Sequence, residues 1–313
     1  MTHCIAQNVG VDISKDWLDV HLHPDGACRR FGNDPAGHKA LLKWLGGWTV
    51  ERIAYEATGA YHRALEQAGR ALPLVKLNPK RARRFAEATG TLAKTDRVDA
   101  AMLARMAATL KPAIRPVKSK ALVELSELMT ARQGLVKDRT AVANRGKNLT
   151  LPLLKRHNEQ RRVQIVKQIE AIDDAATALV NANPELARRR DIITSIKGLG
   201  TTTANQIIAG MDELGALESK QAASLAGLAP ATRQSGNWRG KSFIQGGRAN
   251  IRQALYMPAL VASRFNPDLK AKYQQLIKAG KPAKVAITAI MRKLIVLANA
   301  LLKADRLWQP NHA

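Results

Sequence analysis

The chain opens with an apolar run, residues 5–12, that predicts a strand ending on Asp12. Gly10 within this run would let a backbone or a ligand come close. After a short polar connection, apolar positions in residues 17–23 predict a second strand and therefore a hairpin. A carboxylate within a sheet is costly to bury without a partner, so the pattern predicts that Asp12 meets a cation.

Short strand and helix patterns then alternate up to about residue 110. Strands are predicted over residues 29–32, 51–57 and 72–77, and helices over 37–45, 61–71, 79–88 and 96–109. Thr95 precedes the last of these helices and is a residue type that caps helix N-termini. Strands that alternate with helices after a β-meander predict an α/β layer fold for residues 1–110.

Between residues 119 and 183 the pattern changes to two long helices, with a break near Leu151 and Pro152. Apolar residues recur at heptad-like spacing: Leu122, Leu125, Met129, Val136 and Ala143 in the first run, and Val166, Ile169, Ile172, Ala176 and Leu179 in the second. Arg132 and Arg139 fall on the first seam, so any coiled coil is imperfect. An antiparallel hairpin and a dimerising coiled coil both fit residues 111–185.

Residues 186–313 are predicted to form a separate, all-α unit. Residues 192–209 read as a helix, a Gly-Leu-Gly turn and a second helix. Further helices are predicted over residues 255–262, 268–278 and 284–302. The segment 230–250 is rich in Gly, Arg and Lys and is predicted to be a loop.

The charge of the chain indicates a polyanionic partner. There are 50 Lys and Arg against 25 Asp and Glu, which gives a formal net charge of +25. Residues 186–313 hold 20 of the basic side chains and only 6 of the acidic ones. Because such an excess destabilises a compact chain through self-repulsion, we expect it to be neutralised by nucleic acid.

The composition argues against several other classes of protein. Two cysteines without a CxxC motif do not make a disulfide framework. No run approaches the roughly 18 apolar residues of a membrane span, and the first residues lead into a strand without a secretion signal. We therefore expect a reduced, cytoplasmic protein with no membrane partner.

Four carboxylates form the first candidate site: Asp12, Glu56, Asp96 and Asp99. Asp12 and Glu56 end predicted strands, and Asp96 and Asp99 are three apart on a helix, so they project from one face. Hard divalent cations take such oxygen ligands, and a pair of ions can activate an oxygen nucleophile at phosphorus. The alternatives are a favourable position at the helix N-terminus for the two helical residues and a surface role for Glu56.

The turn at residues 195–200, SIKGLG, has the pattern of a helix-hairpin-helix. Its backbone N–H groups, around Lys197, Gly198 and Gly200, and the following helix N-terminus could hold a phosphate without reading sequence. A plain corner between two helices is the alternative.

Ser235 lies in a cationic segment with five basic neighbours: Arg233, Arg239, Lys241, Arg248 and Arg252. A serine hydroxyl is a weak nucleophile without a base or a metal nearby, and no histidine is close in sequence. From the residues alone, a loop that contacts phosphate is the favoured interpretation.

The motifs VGVDISK at 9–15, YEATGAYH at 55–62 and KTDRVDA at 94–100 resemble the DEDD-type RuvC-like domain of the "IS-one-ten" family of bacterial insertion-sequence transposases. Residues 225–264 and 266–294 resemble the second conserved domain of that family. The sequence GGRANIRQALY at residues 246–256 resembles the inverted-repeat-bearing subgroup of that family. The resemblance covers essentially the whole chain.

The resemblance implies a RuvC/RNase H-like domain with a mixed sheet flanked by helices, and a serine transposase domain. It implies that Asp12, Glu56, Asp96 and Asp99 hold Mg²⁺, or Mn²⁺ in its place, and that Ser235 is the nucleophile. It further implies a bridge RNA that pairs with target and donor double-stranded DNA, and a homo-oligomer ranging from a dimer to a tetramer.

Three hypotheses follow from these observations. The first is an RNA-guided transposase or recombinase that forms a covalent link between Ser235 and DNA. The second is a RuvC-like nuclease that uses water, with Ser235 only contacting phosphate. The third is a nucleic-acid-binding module without catalysis, in which Asp12→Asn would leave function intact.

Overall fold

The structure, a computed structural model, describes residues 3–57, 59–90, 95–114, 116–236 and 238–310. The chain divides into two compact units, Met1–Lys118 and Ser119–Ala313. Each unit has hydrophobic clusters of its own.

The N-terminal unit is built on a mixed five-stranded sheet in the order β3-β2-β1-β4-β5. The strands are β1 (His3–Ile13), β2 (Trp17–His23), β3 (Cys28–Gly32), β4 (Trp48–Glu56) and β5 (Leu74–Leu77), and the helices are α1 (Pro35–Leu45), α2 (His62–Ala68), α3 (Pro79–Ala88) and α4 (Asp96–Leu110). The first three strands form an antiparallel meander, and β4 and β5 add in parallel to β1. The predicted α/β layer fold is confirmed, and the arrangement is consistent with a RuvC-like domain.

Side-chain alternation along the strands gives the sheet two different faces. One face contributes Val9, Val11 and Ile13 to a core that includes Leu41 of α1 and Leu65 of α2. The opposite face contributes a second cluster, made with α3 and α4: Ala54, Val75, Leu77, Ala82, Met102, Leu103, Met106 and Ala107. Asp12 alternates with Val11 and Ile13, so it lies on the face that α4 covers.

Gly10 allows α4 to pack directly on β1, as its type and place in the strand predicted. A β-carbon built on Gly10 would lie 1.9 Å from the carbonyl oxygen of Ala100 and 2.6 Å from the amide nitrogen of Ala104. Any side chain at this position would therefore collide with the helix backbone. The close approach fixes the height of α4 above the strand that carries Asp12.

The C-terminal unit is mainly helical. Its helices are α5 (Lys120–Gly146), α6 (Pro152–Asn181), α7 (Pro184–Ser195), α8 (Thr201–Gly210), α9 (Ser219–Leu225), α10 (Ala249–Phe265), α11 (Pro267–Lys278) and α12 (Ala283–Lys303). Its strands are β6 (Pro230–Ala231), β7 (Gln234–Ser235), β8 (Trp238–Arg239) and β9 (Phe243–Ile244). One large hydrophobic cluster joins the first turns of α5 and the last turns of α6 to α7, α8, α10 and α12.

The prediction of an all-α C-terminal unit was wrong in one segment. Residues 230–244 form two nested antiparallel pairs, β6 with β9 and, inside it, β7 with β8; we call this segment the ribbon. Each strand has only two residues, which is too short for an alternating pattern to show in the sequence. Gly236 follows β7 with a φ of +54°, a conformation that favours glycine at the turn.

The two long helices α5 and α6 form an antiparallel pair within one chain. Arg132, predicted on the seam, crosses to α6 and forms a bidentate ion pair with Asp173, with N–O distances of 2.7 and 2.9 Å. At three positions the buried residue is a neighbour of the predicted one: Val142 instead of Ala143, Ile165 instead of Val166, and Val180 instead of Leu179.

By length and composition alone, one helix among the described residues, α12, could span a membrane. Half of its apolar window is buried within the protein. Its buried residues include Ile290, Leu294 and Ile295, which belong to the large C-terminal cluster. This packing is that of a core helix.

Candidate functional site

Asp12 and Glu56 lie on neighbouring parallel strands at the same end of the sheet. In the pairing of β1 with β4, Gly10 is opposite Ala54 and Val11 is opposite Tyr55. One residue further along, Asp12 and Glu56 therefore share the face that carries Gly10 and Ala54. The prediction that both carboxylates end strands is confirmed, and the register brings them to adjacent positions.

The N-terminus of α4 supplies the other two carboxylates. Thr95 caps the helix as predicted, because its hydroxyl accepts a hydrogen bond from the amide of Val98. Asp96 and Asp99 lie in the first turn, three residues apart. Since α4 packs on β1 at Gly10, this turn reaches the end of the strand where Asp12 lies.

The pKa of Asp12 shows that these carboxylates act on one another. Burial raises the pKa of Asp12 from 3.8 to about 6, and the negative charges of Asp99 and then Asp96 add to the shift. This side chain is thus partly removed from water and repelled by its neighbours. Such an excess of negative charge is what a bound cation relieves.

Asp19 and Arg30, which the sequence did not single out, lie beside these carboxylates. Asp19 of β2 is paired with Asp12 of β1 and points to the same face. Arg30 of β3 donates from Nε and Nη2 to the two carboxylate oxygens of Asp19, at 2.9 Å each, and from Nη2 to Asp96 at 3.2 Å. The alternation of Leu18, Asp19 and Val20 in the predicted hairpin was the signal that could have revealed Asp19.

His21 also lies on this face, two residues along β2 from Asp19. It is partly buried, and its pKa is lowered by that burial and then by the charges of His23 and Arg97. A neutral imidazole beneath α4 is consistent with this lowered pKa.

A buried network on the opposite face holds the end of β4. The hydroxyl of Tyr55 donates to Glu66 of α2 at 2.5 Å, and Nζ of Lys76 of β5 lies 2.6 Å from the same oxygen. Burial, followed by the hydrogen bond and charge of Glu66, raises the pKa of Tyr55. Tyr55 precedes Glu56, so the network fixes the strand at the position where Glu56 projects to the other side.

Ser235 is exposed on the inner strand pair of the ribbon. Its partner in the pairing is Trp238, whose indole is 58% exposed and covers Gly240. The described residues give the Ser235 hydroxyl no hydrogen-bond partner. The side chain is thus presented to solvent.

The five basic residues around Ser235 separate into two groups. Arg233, Arg239 and Lys241 are exposed on the ribbon, and the guanidinium of Arg233 lies 4.7 Å from the ring centre of Phe243. Arg248 instead forms a bidentate ion pair with Glu213, with both N–O distances 2.7 Å. Arg252 donates to the carbonyl of Gly246 at 2.9 Å, so it braces the loop at the base of the ribbon.

The turn at residues 196–200 joins α7 to α8, as predicted. Gly198 has a φ of +114°, and a β-carbon there would lie 2.8 Å from the β-carbon of Ala262 in α10. Gly200 is the N-cap residue of α8, and Lys197 is exposed. The turn therefore has a tight internal packing and an exposed cation at its tip.

Comparison with known protein families covers both units. Residues 9–154 match a family model described as a transposase, of the DEDD type of IS110 elements. Residues 190–274 match a second model, described as "Transposase IS116/IS110/IS902 family". The chain belongs to the IS110 family of transposases. It is accordingly a DNA transposase or recombinase.

Relatives of this IS110-family transposase include two that match over almost their whole length. These are the pilin gene-inverting proteins of Moraxella bovis and Moraxella lacunata, each 29% identical, with 95% of this chain and 96% of theirs covered. A 42 kDa protein of the insertion element IS900 from Mycobacterium paratuberculosis is 27% identical, over 47% of this chain and 38% of its own.

The DEDD domain of this transposase implies dependence on a divalent metal ion. The chemistry of Asp12, Glu56, Asp96 and Asp99 fits such an ion, since carboxylates supply hard oxygen ligands. The negative charges of Asp99 and Asp96 also act on Asp12, and a cation would offset them. In the described ranges, no three acidic, histidine or cysteine side chains converge closely enough to hold a metal. Nη2 of Arg30 lies 3.2 Å from a carboxylate oxygen of Asp96, so a positive charge already contacts one member of the donor set.

Proposed function

We propose that this transposase cuts and rejoins DNA strands with Ser235 as the nucleophile, guided by a bridge RNA that pairs with target and donor DNA. The observation that carries the proposal is the location of a serine hydroxyl on an exposed cationic ribbon, in a unit separate from the carboxylates, with no hydrogen-bond partner among the described residues. The bridge RNA follows from the resemblance of the motifs to the IS110 family. The large positive charge is consistent with a chain that binds both RNA and DNA.

Asp12, Glu56, Asp96 and Asp99 would hold Mg²⁺ at the end of β1. A divalent ion bound there would stabilise negative charge on the oxygens of a phosphodiester. It would also relieve the repulsion of Asp12 by the negative charges of Asp99 and Asp96. Arg30, which is held by Asp19, contacts Asp96 and would compete with the ion for that carboxylate.

In the cleavage step, Oγ of Ser235 attacks phosphorus of the DNA backbone. A bond between Oγ and phosphorus forms, the bond between phosphorus and a deoxyribose oxygen breaks, and the released strand leaves as an alcohol. The serine proton passes to a base, and the oxygen of the released strand takes up a proton from solvent. Arg233, Arg239 and Lys241 would hold the phosphates on either side of the target bond.

We propose an oligomer, between a dimer and a tetramer, in which the ribbon of one copy reaches the carboxylates of another. The absence of a base among the described neighbours of Ser235 supports this arrangement. It would also keep the serine inactive until the copies assemble on nucleic acid.

The decisive test is a denaturing gel for covalent protein–DNA product. Labelled target and donor DNA, candidate bridge RNA and Mg²⁺ are incubated with the wild type, Ser235→Ala and Asp12→Ala. Ser242→Ala removes another exposed hydroxyl of the same ribbon and is the matched control. We expect an adduct with the wild type and the control that both site variants lose, and that omission of RNA or chelation of the metal prevents.

The same gel tests the main alternative. Cut DNA without an adduct, unchanged in Ser235→Ala and lost in Asp12→Ala, would show a metal-dependent nuclease that uses water. In that case Ser235 would contact phosphate only, and its proposed role would be wrong.

A further inference from the structure

A cavity of about 400 Å³ lies in the C-terminal unit. It is formed by α11, α12 and the segment after α12. The side chains that decide its chemistry are Asp268 and Lys272 of α11, Lys293 of α12, and Arg306 and Trp308 of the final segment. Its size is in the range of small-ligand sites, and a single nucleotide fits such a volume.

The charges of this cavity favour an anion. Three cationic side chains line it against one carboxylate, and Lys293 and Arg306 form no ion pair with any described residue. Lys272 is held only by an exposed hydrogen bond to Gln275 at 2.9 Å. Three cationic side chains and one carboxylate give this concave surface a net positive charge, which an anion would neutralise.

Trp308 gives the same cavity an aromatic wall. The indole is partly buried, because one part packs against the large C-terminal cluster and another part lines the cavity. An indole held in this way offers a rigid surface on which a base can stack. The wall and the cations together match the two halves of a nucleotide, its base and its phosphate.

Hydrogen bonds join the cavity to the α7–α8 turn. The amide of Trp308 donates to Oγ of Ser195 at 2.8 Å, and Ser195 is the last residue of α7. The side chain of Asn266, which caps α11 next to Asp268, donates to the carbonyl of Lys197 at 3.3 Å. If a nucleic-acid strand places one phosphate at the turn, the neighbouring nucleotide of that strand can reach the cavity.

We propose that this cavity binds one unpaired nucleotide of a nucleic-acid strand, with the base stacked on Trp308 and the phosphate held by Lys272, Lys293 and Arg306. The carboxylate of Asp268 would accept a hydrogen bond from the base. This site requires from the proposed function only that the chain binds nucleic acid. It discriminates single-stranded segments from continuous duplex, because a base within a duplex cannot enter it.

The test measures binding by the full-length protein and does not depend on strand cleavage. Fluorescence anisotropy reports the affinities for a short single-stranded DNA, a single-stranded RNA of the same sequence and a blunt DNA duplex. The variants are Lys293→Ala with Arg306→Ala, Trp308→Ala and Trp308→Phe. Lys284→Ala, which removes an exposed lysine of the same helix outside the cavity, is the matched control.

We expect the double variant and Trp308→Ala to weaken single-strand binding by about tenfold each, since stacking and phosphate contacts both contribute at this scale. Trp308→Phe should retain most of the affinity, and Lys284→Ala should change single-strand and duplex binding alike by less than about twofold. The DNA and RNA arms show which strand provides the nucleotide.

Equal losses for duplex and single strand in the double variant, or losses no larger than those of Lys284→Ala, would overturn the proposal. Because Trp308 also packs against the core, the double variant of two exposed cations keeps the test independent of folding. Failure of this site would leave the adduct assay of Ser235 unaffected, so the two proposals can be judged separately.

Discussion

Gly10 of β1 and Ala100 of α4 are in direct backbone contact, and a β-carbon on the glycine would lie 1.9 Å from the alanine carbonyl oxygen. Gly10 lies two residues before Asp12 in β1, and Ala100 directly follows Asp99 in α4. The closeness of strand and helix is what brings the carboxylates of the two elements to one surface.

The first prediction concerns this contact. Gly10→Ala should lower the free energy of unfolding of the N-terminal unit by about 2–3 kcal/mol, because the helix has to move away from the strand. Gly47→Ala, in the same unit, meets only the carbonyl of Trp44 at an ordinary 3.6 Å and should be nearly neutral. Urea unfolding of both variants checks this, and equal stabilities would show that α4 shifts without cost.

The second prediction concerns pH. In the unfolded chain Asp12 titrates near its ordinary pKa, whereas in the folded chain its pKa is about 6. Between these values the folded state binds more protons, so the contribution of Asp12 to stability is present at low pH and is lost as the pH rises through 6. Allowing for solvent screening of this partly exposed group, the loss is about 1–2 kcal/mol.

Asp12→Asn isolates that contribution. Relative to the wild type in the presence of a chelator, the variant should gain stability progressively between about pH 4 and pH 7. Unfolding measured across this range gives the difference directly. A difference that does not change with pH would mean that neither burial nor the charges of Asp99 and Asp96 raise the pKa of Asp12 in the folded protein.

The third prediction concerns Arg30. Its guanidinium contacts Asp19 and Asp96 and competes with a cation for the second carboxylate. Arg30→Ala should therefore tighten the binding of Mn²⁺, measured by calorimetry, by about three- to tenfold, since a positive charge is removed from the site. Arg29→Ala removes the neighbouring arginine, which lies over the ring of Phe31, and should leave the affinity unchanged. Weaker Mn²⁺ binding by Arg30→Ala would instead identify Arg30 as a residue that orients the ligands.

The fourth prediction separates a structural role of Arg248 from a nucleic-acid-binding role of Lys241. Arg248→Ala should cost about 2–3 kcal/mol of stability, because it leaves Glu213, whose side chain is only 12% exposed, without its ion pair. Lys241→Ala should leave stability within about 0.5 kcal/mol but reduce the salt dependence of nucleic-acid binding by about one unit of slope. Thermal unfolding and binding across salt concentrations distinguish them, and the reverse pattern would contradict both assignments.

The sequence was sufficient for features set by local chemistry. The apolar run ending on Asp12, the Thr95 cap and the glycine at position 10 each depend on a few adjacent residues, and all three were predicted correctly. The pairing of Arg30 with Asp19 and Asp96 could not be predicted in this way, since it depends on strand register and on a helix 66 residues further along the chain.

The errors in the C-terminal unit have similar physical causes. Val142 and Ala143 are both apolar, and only the rotation of α5 against α6 decides which of them is buried. The ribbon is held by strands of two residues each, so tertiary pairing rather than periodicity defines it. Arg248 and Arg252 resembled phosphate ligands in the sequence because the acceptors that engage them, Glu213 and Gly246, become neighbours only after folding.

Among the described residues, the ribbon is attached to the helices at its base. The amide of Arg248 donates to the carbonyl of Leu225 at 2.8 Å, and Gly247 approaches Gly227 so closely that a β-carbon would lie 2.2 Å from its nitrogen. Among the described residues, the tip with Ser235 makes no hydrogen bond to the helices. Insertions or exchanges at the tip are therefore expected to leave the helical scaffold intact, so the tip can change in length and sequence without refolding of the unit that carries it.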